Sequence, residues 1–130
     1  MGMEQTVIFA AGRLPTYATI RGLLAARGFP LHLRMIDGDL AFPDEEPAED
    51  WRELRVSTPQ GMVTLRRDAE SITLVTWGNA DRALTQAWNA LVWGCAQAGS
   101  GQVFTERGVI SADEYRKTAD LPDVLQQDEV

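Results

Sequence analysis

Two segments of this chain limit what it can fold into. Each is a helix-spaced run that stops at a glycine and passes at once into a strand-spaced run. In the first, Tyr17, Ile20, Leu23 and Leu24 recur at helical spacing and form one apolar stripe. Thr16 can cap its start, and Gly28 stands where a left-handed residue ends a helix, with Phe29 able to fold back on the last turn. Leu31, Leu33 and Met35 then alternate with His32 and Arg34, the pattern of a strand with one buried face. The second run extends from Ala80 to Ala98, with Asn79 or Asp81 near its cap, Gly99 as its stop and Gln102 to Thr105 as the strand beyond.

The rest of the chain supplies strands and punctuation. Glu4 to Ala10 reads as a first strand, Trp51 to Thr58 and Gly61 to Arg67 as a hairpin around Pro59-Gln60-Gly61, and Ser71 to Trp77 as a further strand. Arg107-Gly108 is a turn, and Ser111 to Glu114 has capping-box spacing for a short third helix. The order is β-α-β, then β-β, then β-α-β-α. Right-handed crossovers would place both main helices on one face of a mixed, mostly antiparallel sheet of about six strands. The expected fold is α+β, a two-layer sandwich of ferredoxin-like type with a short C-terminal helix. Residues 1–118 form one domain on this reading, and 119–130 an acidic tail that frays.

Composition excludes several functions. At 130 residues the chain can bury a real core, and its formal charge of −7 opposes a nucleic-acid phosphate backbone. A basic protein is the better-matched partner, since opposite charge steers and speeds encounter. No apolar run approaches the ~20 residues that span a bilayer, so no membrane role is expected. Gly2 with Thr6 literally fits a myristoylation pattern, but no basic patch supplies a second anchor. The single cysteine, Cys95, forbids an internal disulfide and agrees with a cytoplasmic location. Lys117 is the only lysine beside eleven arginines, a usage that suggests a GC-rich bacterial source.

The candidate chemical motifs fail on physical grounds. Gly99-Ser100-Gly101 follows a helix, so a phosphate there would meet carbonyls and partial negative charge, the reverse of an anion cradle. Asp37-Gly38-Asp39 begins like a calcium loop but continues with Ala41, Phe42 and Ala48 where that loop needs an oxygen ligand, glycine and glutamate. His32 and Cys95 are alone of their types: Cys95 shares the apolar stripe of Leu84, Trp88 and Leu91, and His32 points outward. The expectation is therefore no enzyme, no cofactor and no metal site.

Interaction residues are the remaining candidates. Asp37 to Asp50 holds seven acids and two prolines without one basic residue, and reads as a surface loop. Asp44, Glu45, Glu46, Glu49 and Asp50 are its candidate partner-binding side chains, with Trp51 at its edge as an aromatic anchor. Trp93 falls on the polar side of the second helix with Gln86, Asn89 and Gln97. It is either an exposed binding or homodimer anchor, or a residue covered by the third helix or the tail.

Two stretches carry a resemblance: "LPTYATIRGLLAARGFPLHL" and "ADRALTQAWNALVWGCAQAGSGQVFTERGVISADEY". In their helix starts, glycines and following strands the chain resembles a loose group of small bacterial α+β proteins, some of them immunity proteins of polymorphic toxins. The section from Asp37 to Arg67 lies outside it. The resemblance implies a stoichiometric inhibitor that occludes a basic toxin's active site, its acids standing in for nucleic-acid phosphates. The alternative is a small regulatory or ligand-binding domain acting as a homodimer.

Overall fold

A computed structural model describes residues 2–126. Its elements in chain order are β1 (Met3–Ile8), α1 (Tyr17–Ala25), β2 (His32–Ile36), β3 (Asp39–Leu40), β4 (Glu53–Thr58), β5 (Gly61–Arg67), β6 (Ser71–Thr76), α2 (Arg82–Gly99), β7 (Gln102–Thr105), β8 (Gly108–Ser111), α3 (Ala112–Thr118) and α4 (Asp123–Gln126). The strands form one open sheet in the order β3-β2-β4-β5-β6-β1-β7-β8, and every neighbouring pair is antiparallel.

The six expected strands are all present, but the sheet is antiparallel rather than mixed. β1 and β2 run the same way, yet the meander β4–β5–β6 separates them; β6 and β7 likewise run the same way with β1 between them. Strands joined through a helix therefore never become hydrogen-bonded neighbours. The two further strands are the outermost ones, and both follow tight turns. Asp37 and Gly38, at φ 49° and 89°, make the positive-φ pair that two-residue hairpins favour, turning β2 into β3 within what reads as a loop. Thr105-Glu106-Arg107-Gly108 repeats the device of Thr58-Pro59-Gln60-Gly61. In each, the threonine hydroxyl donates to the glycine carbonyl and accepts the backbone N–H of the residue before that glycine. The repeated T-x-x-G was a legible signal for the hairpin of β7 and β8.

The helices form where their caps place them. Thr16 Oγ1 accepts the Thr19 N–H at 3.1 Å, and Asp81 Oδ1 accepts the Leu84 N–H at 2.8 Å. α1 closes with Gly28 at φ 84°, the Phe29 N–H reaching the Leu24 carbonyl at 2.9 Å while the Phe29 ring enters the core. At the end of α2 the left-handed residue is Ser100, at φ 52°, rather than Gly99. The two glycines have a steric reason. A Cβ on Gly99 would lie 2.7 Å from the Phe9 ring and 2.8 Å from Pro15, and one on Gly101 would lie 2.6 Å from that ring and 2.7 Å from the Ile8 carbonyl oxygen. Gly-x-Gly is the slot into which β1 delivers Phe9.

The core lies between the sheet and the helices. Val7, Leu33, Leu54, Val56, Leu65, Ile72, Leu74 and Val103 face α1 and α2, whose Tyr17, Ile20, Leu24, Leu91 and Cys95 are buried against them. α2 is buried on its polar side as well. Gln86 Nε2 donates to Asp120 Oδ1 and to the Leu121 carbonyl, Asn89 Nδ2 donates to the Asp120 carbonyl at 2.9 Å, and the Tyr115 hydroxyl donates to Asn89 Oδ1 at 2.9 Å. These bonds seat the segment after α3, and Leu121 and Leu125 are wholly buried. Residues 119–126 are thus part of the domain, correcting the expectation that the chain frays after Thr118; residues 127–130 and Met1 lie outside the described residues.

The glycine slot makes a paired prediction for urea denaturation. Gly101→Ala is expected to cost about 2 kcal/mol or more, because the methyl group meets backbone oxygen and a fixed ring. Gly22→Ala, inside α1 with nothing within 4 Å of the new Cβ, is expected to stabilise by about 0.5–1 kcal/mol.

Candidate functional site

The acidic loop between β3 and β4 is anchored at several points. The Leu33 N–H donates to the Pro43 carbonyl at 3.2 Å, the Ala41 N–H to the Arg34 carbonyl at 3.0 Å, and the Trp51 N–H to the Ala48 carbonyl at 3.1 Å. Asp37 Oδ1 accepts the N–H groups of both Arg52 and Glu53 at 2.8 Å, closing the loop at its far end. Glu46 is drawn back onto α1, where Arg21 Nη2 pairs with its carboxylate at 2.9 Å. Asp44, Glu45, Glu49 and Asp50 remain exposed. Their positions are thus fixed by the loop's backbone bonds, and among the described residues no group of three or more His, Cys, Asp or Glu could hold a metal ion.

Of the two tryptophans weighed as binding anchors, neither is at the surface. Trp51 is 3% exposed, packed into the core with the Arg67 guanidinium over its ring at 5.0 Å. Trp93 is also 3% exposed, with Arg27 over its ring at 5.2 Å. Its side of α2 faces the covering segments, and Val124 lies beside Gly28 at the end of α1, closing that side. The aromatic part of the candidate interface is therefore withdrawn from both positions; of the two readings of Trp93, the covered one holds.

The lone histidine and cysteine are on opposite sides of the sheet. His32 is exposed, opposite Ser57 on the face away from the helices, while Cys95 is wholly buried in the core and burial pushes its thiol pKa upward. A buried, protonated thiol is a poor nucleophile. Beneath the acidic loop, a cleft of about 440 Å³ is lined by Leu14, Tyr17, Glu46, Glu49, Trp51 and Arg67. The Tyr17 hydroxyl is buried without a hydrogen-bond partner, and burial raises its pKa to about 12.

The exposed apolar side chains are ones that sequence reading passed over. Leu40 is 89% exposed and Phe42 74%, at and just beyond the edge strand β3. Trp77 is half exposed on the uncovered face, where its indole N–H donates to Thr64 Oγ1 at 3.3 Å and Arg66 lies over its ring at 5.2 Å. Phe104 and Val109, cross-strand partners, are exposed on the same face. The alternation of β6 and β7 already placed Trp77 and Phe104 opposite the core-facing Leu74 and Val103. A wider cleft of about 870 Å³ opens at the other sheet edge, between α2–α3 and β1–β7–β8, lined by Gln5, Trp88, Ile110, Tyr115 and Thr118 among others.

The Asp37 clasp has a pH signature. Its two backbone N–H donors, Glu53 first and Arg52 second, hold its carboxyl pKa below the ordinary 3.8. A carboxyl depressed by folding stabilises above its unfolded pKa, and that contribution is lost as pH falls through the folded value. Asp37→Asn, which can keep the positive φ, is expected to lower the urea midpoint at neutral pH. The gap to wild type should narrow as pH falls through the lowered Asp37 pKa, where the wild-type carboxyl also becomes neutral.

Comparison of the chain with protein-family models, with curated proteins and with solved structures finds no match. The functional reading rests on the residues above.

Proposed function

We propose that the chain is a non-catalytic protein-binding domain whose acidic loop engages a basic protein, as an immunity protein engages its toxin. The observation that carries this reading is the anchored acidic loop itself. Exposed carboxylates at Asp44, Glu45, Glu49 and Asp50 stand on backbone pinned to β2, to Asp37 and to the buried Trp51. A pinned loop loses little conformational entropy on binding, and clustered carboxylates speed encounter with a cationic surface. Glu46 is engaged by Arg21 and contributes less.

The test begins by capturing partners on the wild-type chain and on a variant with Asp44, Glu45, Glu49 and Asp50 each changed to Lys, using extract of the source bacterium. Binding of the captured protein is then titrated at about 50 mM and about 500 mM salt. The expected result is a basic protein held by wild type alone, its affinity falling at least about tenfold in high salt. A captured partner indifferent to both salt and reversal would overturn the electrostatic reading.

A second reading, a small-ligand-binding domain, is favoured by the 870 Å³ cleft, whose volume suits a drug-sized molecule. Trp88 lines it and reports on it, although its indole N–H is engaged by the Leu74 carbonyl at 2.9 Å. Under this reading a screen of small metabolites finds a compound that raises the melting temperature and shifts tryptophan emission, and Trp88→Phe removes the optical change while keeping the thermal one. Thermal shifts that persist when Ile110→Arg fills the cleft would place the ligand elsewhere.

A further inference from the structure

The 440 Å³ cleft beneath the acidic loop gathers hydrogen-bond donors that the protein itself does not use. The first is the Tyr17 hydroxyl. Tyr17 is 1% exposed, and its oxygen has no hydrogen-bond partner. A buried hydroxyl without a partner destabilises a fold, and a ligand group is one source of that partner. Its pKa is raised first by burial, then acted on by Arg21 and by the carboxylate of Glu46, a cleft residue, so the oxygen lies toward the cleft. The second source is the start of α1, where Tyr17 and Ala18 line the cleft. Thr16 Oγ1 takes the Thr19 N–H, and among the described residues the N–H groups of Tyr17 and Ala18 have no protein acceptor. They form the positive end of the helix dipole. The third is Arg67, half-buried with its guanidinium over the Trp51 ring. Its charge acts on Asp37, but it forms no ion pair among the described residues. The opposite wall is acidic: Glu46 is engaged by Arg21 at 2.9 Å, while Glu49 is exposed and in no ion pair.

We propose that this cleft binds a free amino acid with an apolar side chain. The lining selects that class. A purely anionic ligand would lie against Glu49, and a purely cationic one against Arg67 and the positive end of α1. A small zwitterion satisfies both walls. Its carboxylate takes the Tyr17 hydroxyl, the first N–H groups of α1 and the Arg67 guanidinium, whose planar fork matches a carboxylate. Its ammonium faces Glu49, and its side chain packs among Leu14, Pro47 and the Trp51 ring. The volume lies within the range of small-molecule sites. This inference rests on neither reading above: the carboxylate's donors belong to α1 and β5, and the cleft is not the one lined by Trp88 and Ile110.

The experiment is calorimetric and thermal-shift titration of the purified chain with L-leucine, L-methionine and L-phenylalanine, each to about 10 mM. At least one is expected to bind with Kd of about 1 mM or tighter. The matching acid without the ammonium, and the matching amine without the carboxylate, are expected to bind at least about tenfold more weakly. Tyr17→Phe is expected to lower affinity about tenfold while raising the melting temperature of the unliganded chain, because it removes an unpaired buried hydroxyl. Glu49→Gln, at an exposed position, is expected to weaken binding about fivefold with an unchanged melting temperature. Ile110→Arg, in the other cleft, is expected to leave binding unchanged. Three results would overturn the proposal: no binding by any of the three amino acids, binding indifferent to Tyr17→Phe and Glu49→Gln, or a matching acid or amine that binds as tightly as its amino acid.

Discussion

The rest of this structure depends on burying α2 on both of its sides. One side is a conventional apolar stripe of Leu91, Cys95 and small residues against the sheet. The other carries Gln86, Asn89 and Trp93, and would be a solvent face in a two-layer protein. Here the amides of Gln86 and Asn89 are spent on the backbone of Asp120 and Leu121, with Tyr115 completing Asn89. A buried amide without a partner is costly, so these bonds fix the register of the covering segment. Arg82, which holds Asp120 in a two-nitrogen ion pair, also keeps that carboxyl pKa low. Leu121 and Leu125 then enter the core that the latch has closed.

Close approach is the second constraint. Phe9 reaches the end of α2 only because Gly99 and Gly101 have no Cβ, and Gly94 lets Leu24 of α1 come within van der Waals range of the α2 backbone. Glycines that look like punctuation along the chain are, in space, contact surfaces. The sheet extends by a similar economy: Asp37-Gly38 and Thr105-x-x-Gly108 each add an edge strand through a tight turn. These additions place Leu40 at one margin of the sheet and Val109 at the other.

The surface follows from that architecture. Helices and the covering segment occupy one face of the sheet, so residues alternating with the core are left on the other: His32, Arg55, Arg66, Trp77 and Phe104. The acidic loop folds back toward α1 through Glu46 and Trp51. Charge of both signs is spread over the surface and paired across elements, as in Arg66 with Glu53 on the uncovered sheet and Arg21 with Glu46 of the loop.

Elements governed by nearest neighbours were legible in the sequence. The caps at Thr16, Asp81 and Ser111, the left-handed Gly28, the β4–β5 hairpin and the buried Cys95 all depend on contacts within a few residues or on simple periodicity. The exclusion of a phosphate cradle at Gly99-Ser100-Gly101 followed from chain direction alone. Only the tertiary structure decided the rest. Whether strands joined through a helix become neighbours depends on what inserts between them, and the β4–β5–β6 meander did so. Trp51 and Trp93 sit where local pattern permits exposure, but burial is set by segments remote in sequence: the β1–α1 connection and the chain after Thr118. The exposed acids of the loop were foreseen because charge keeps them in water wherever the chain goes. The aromatic residues of the surface were not, because an apolar side chain is exposed only when the fold leaves nothing to cover it.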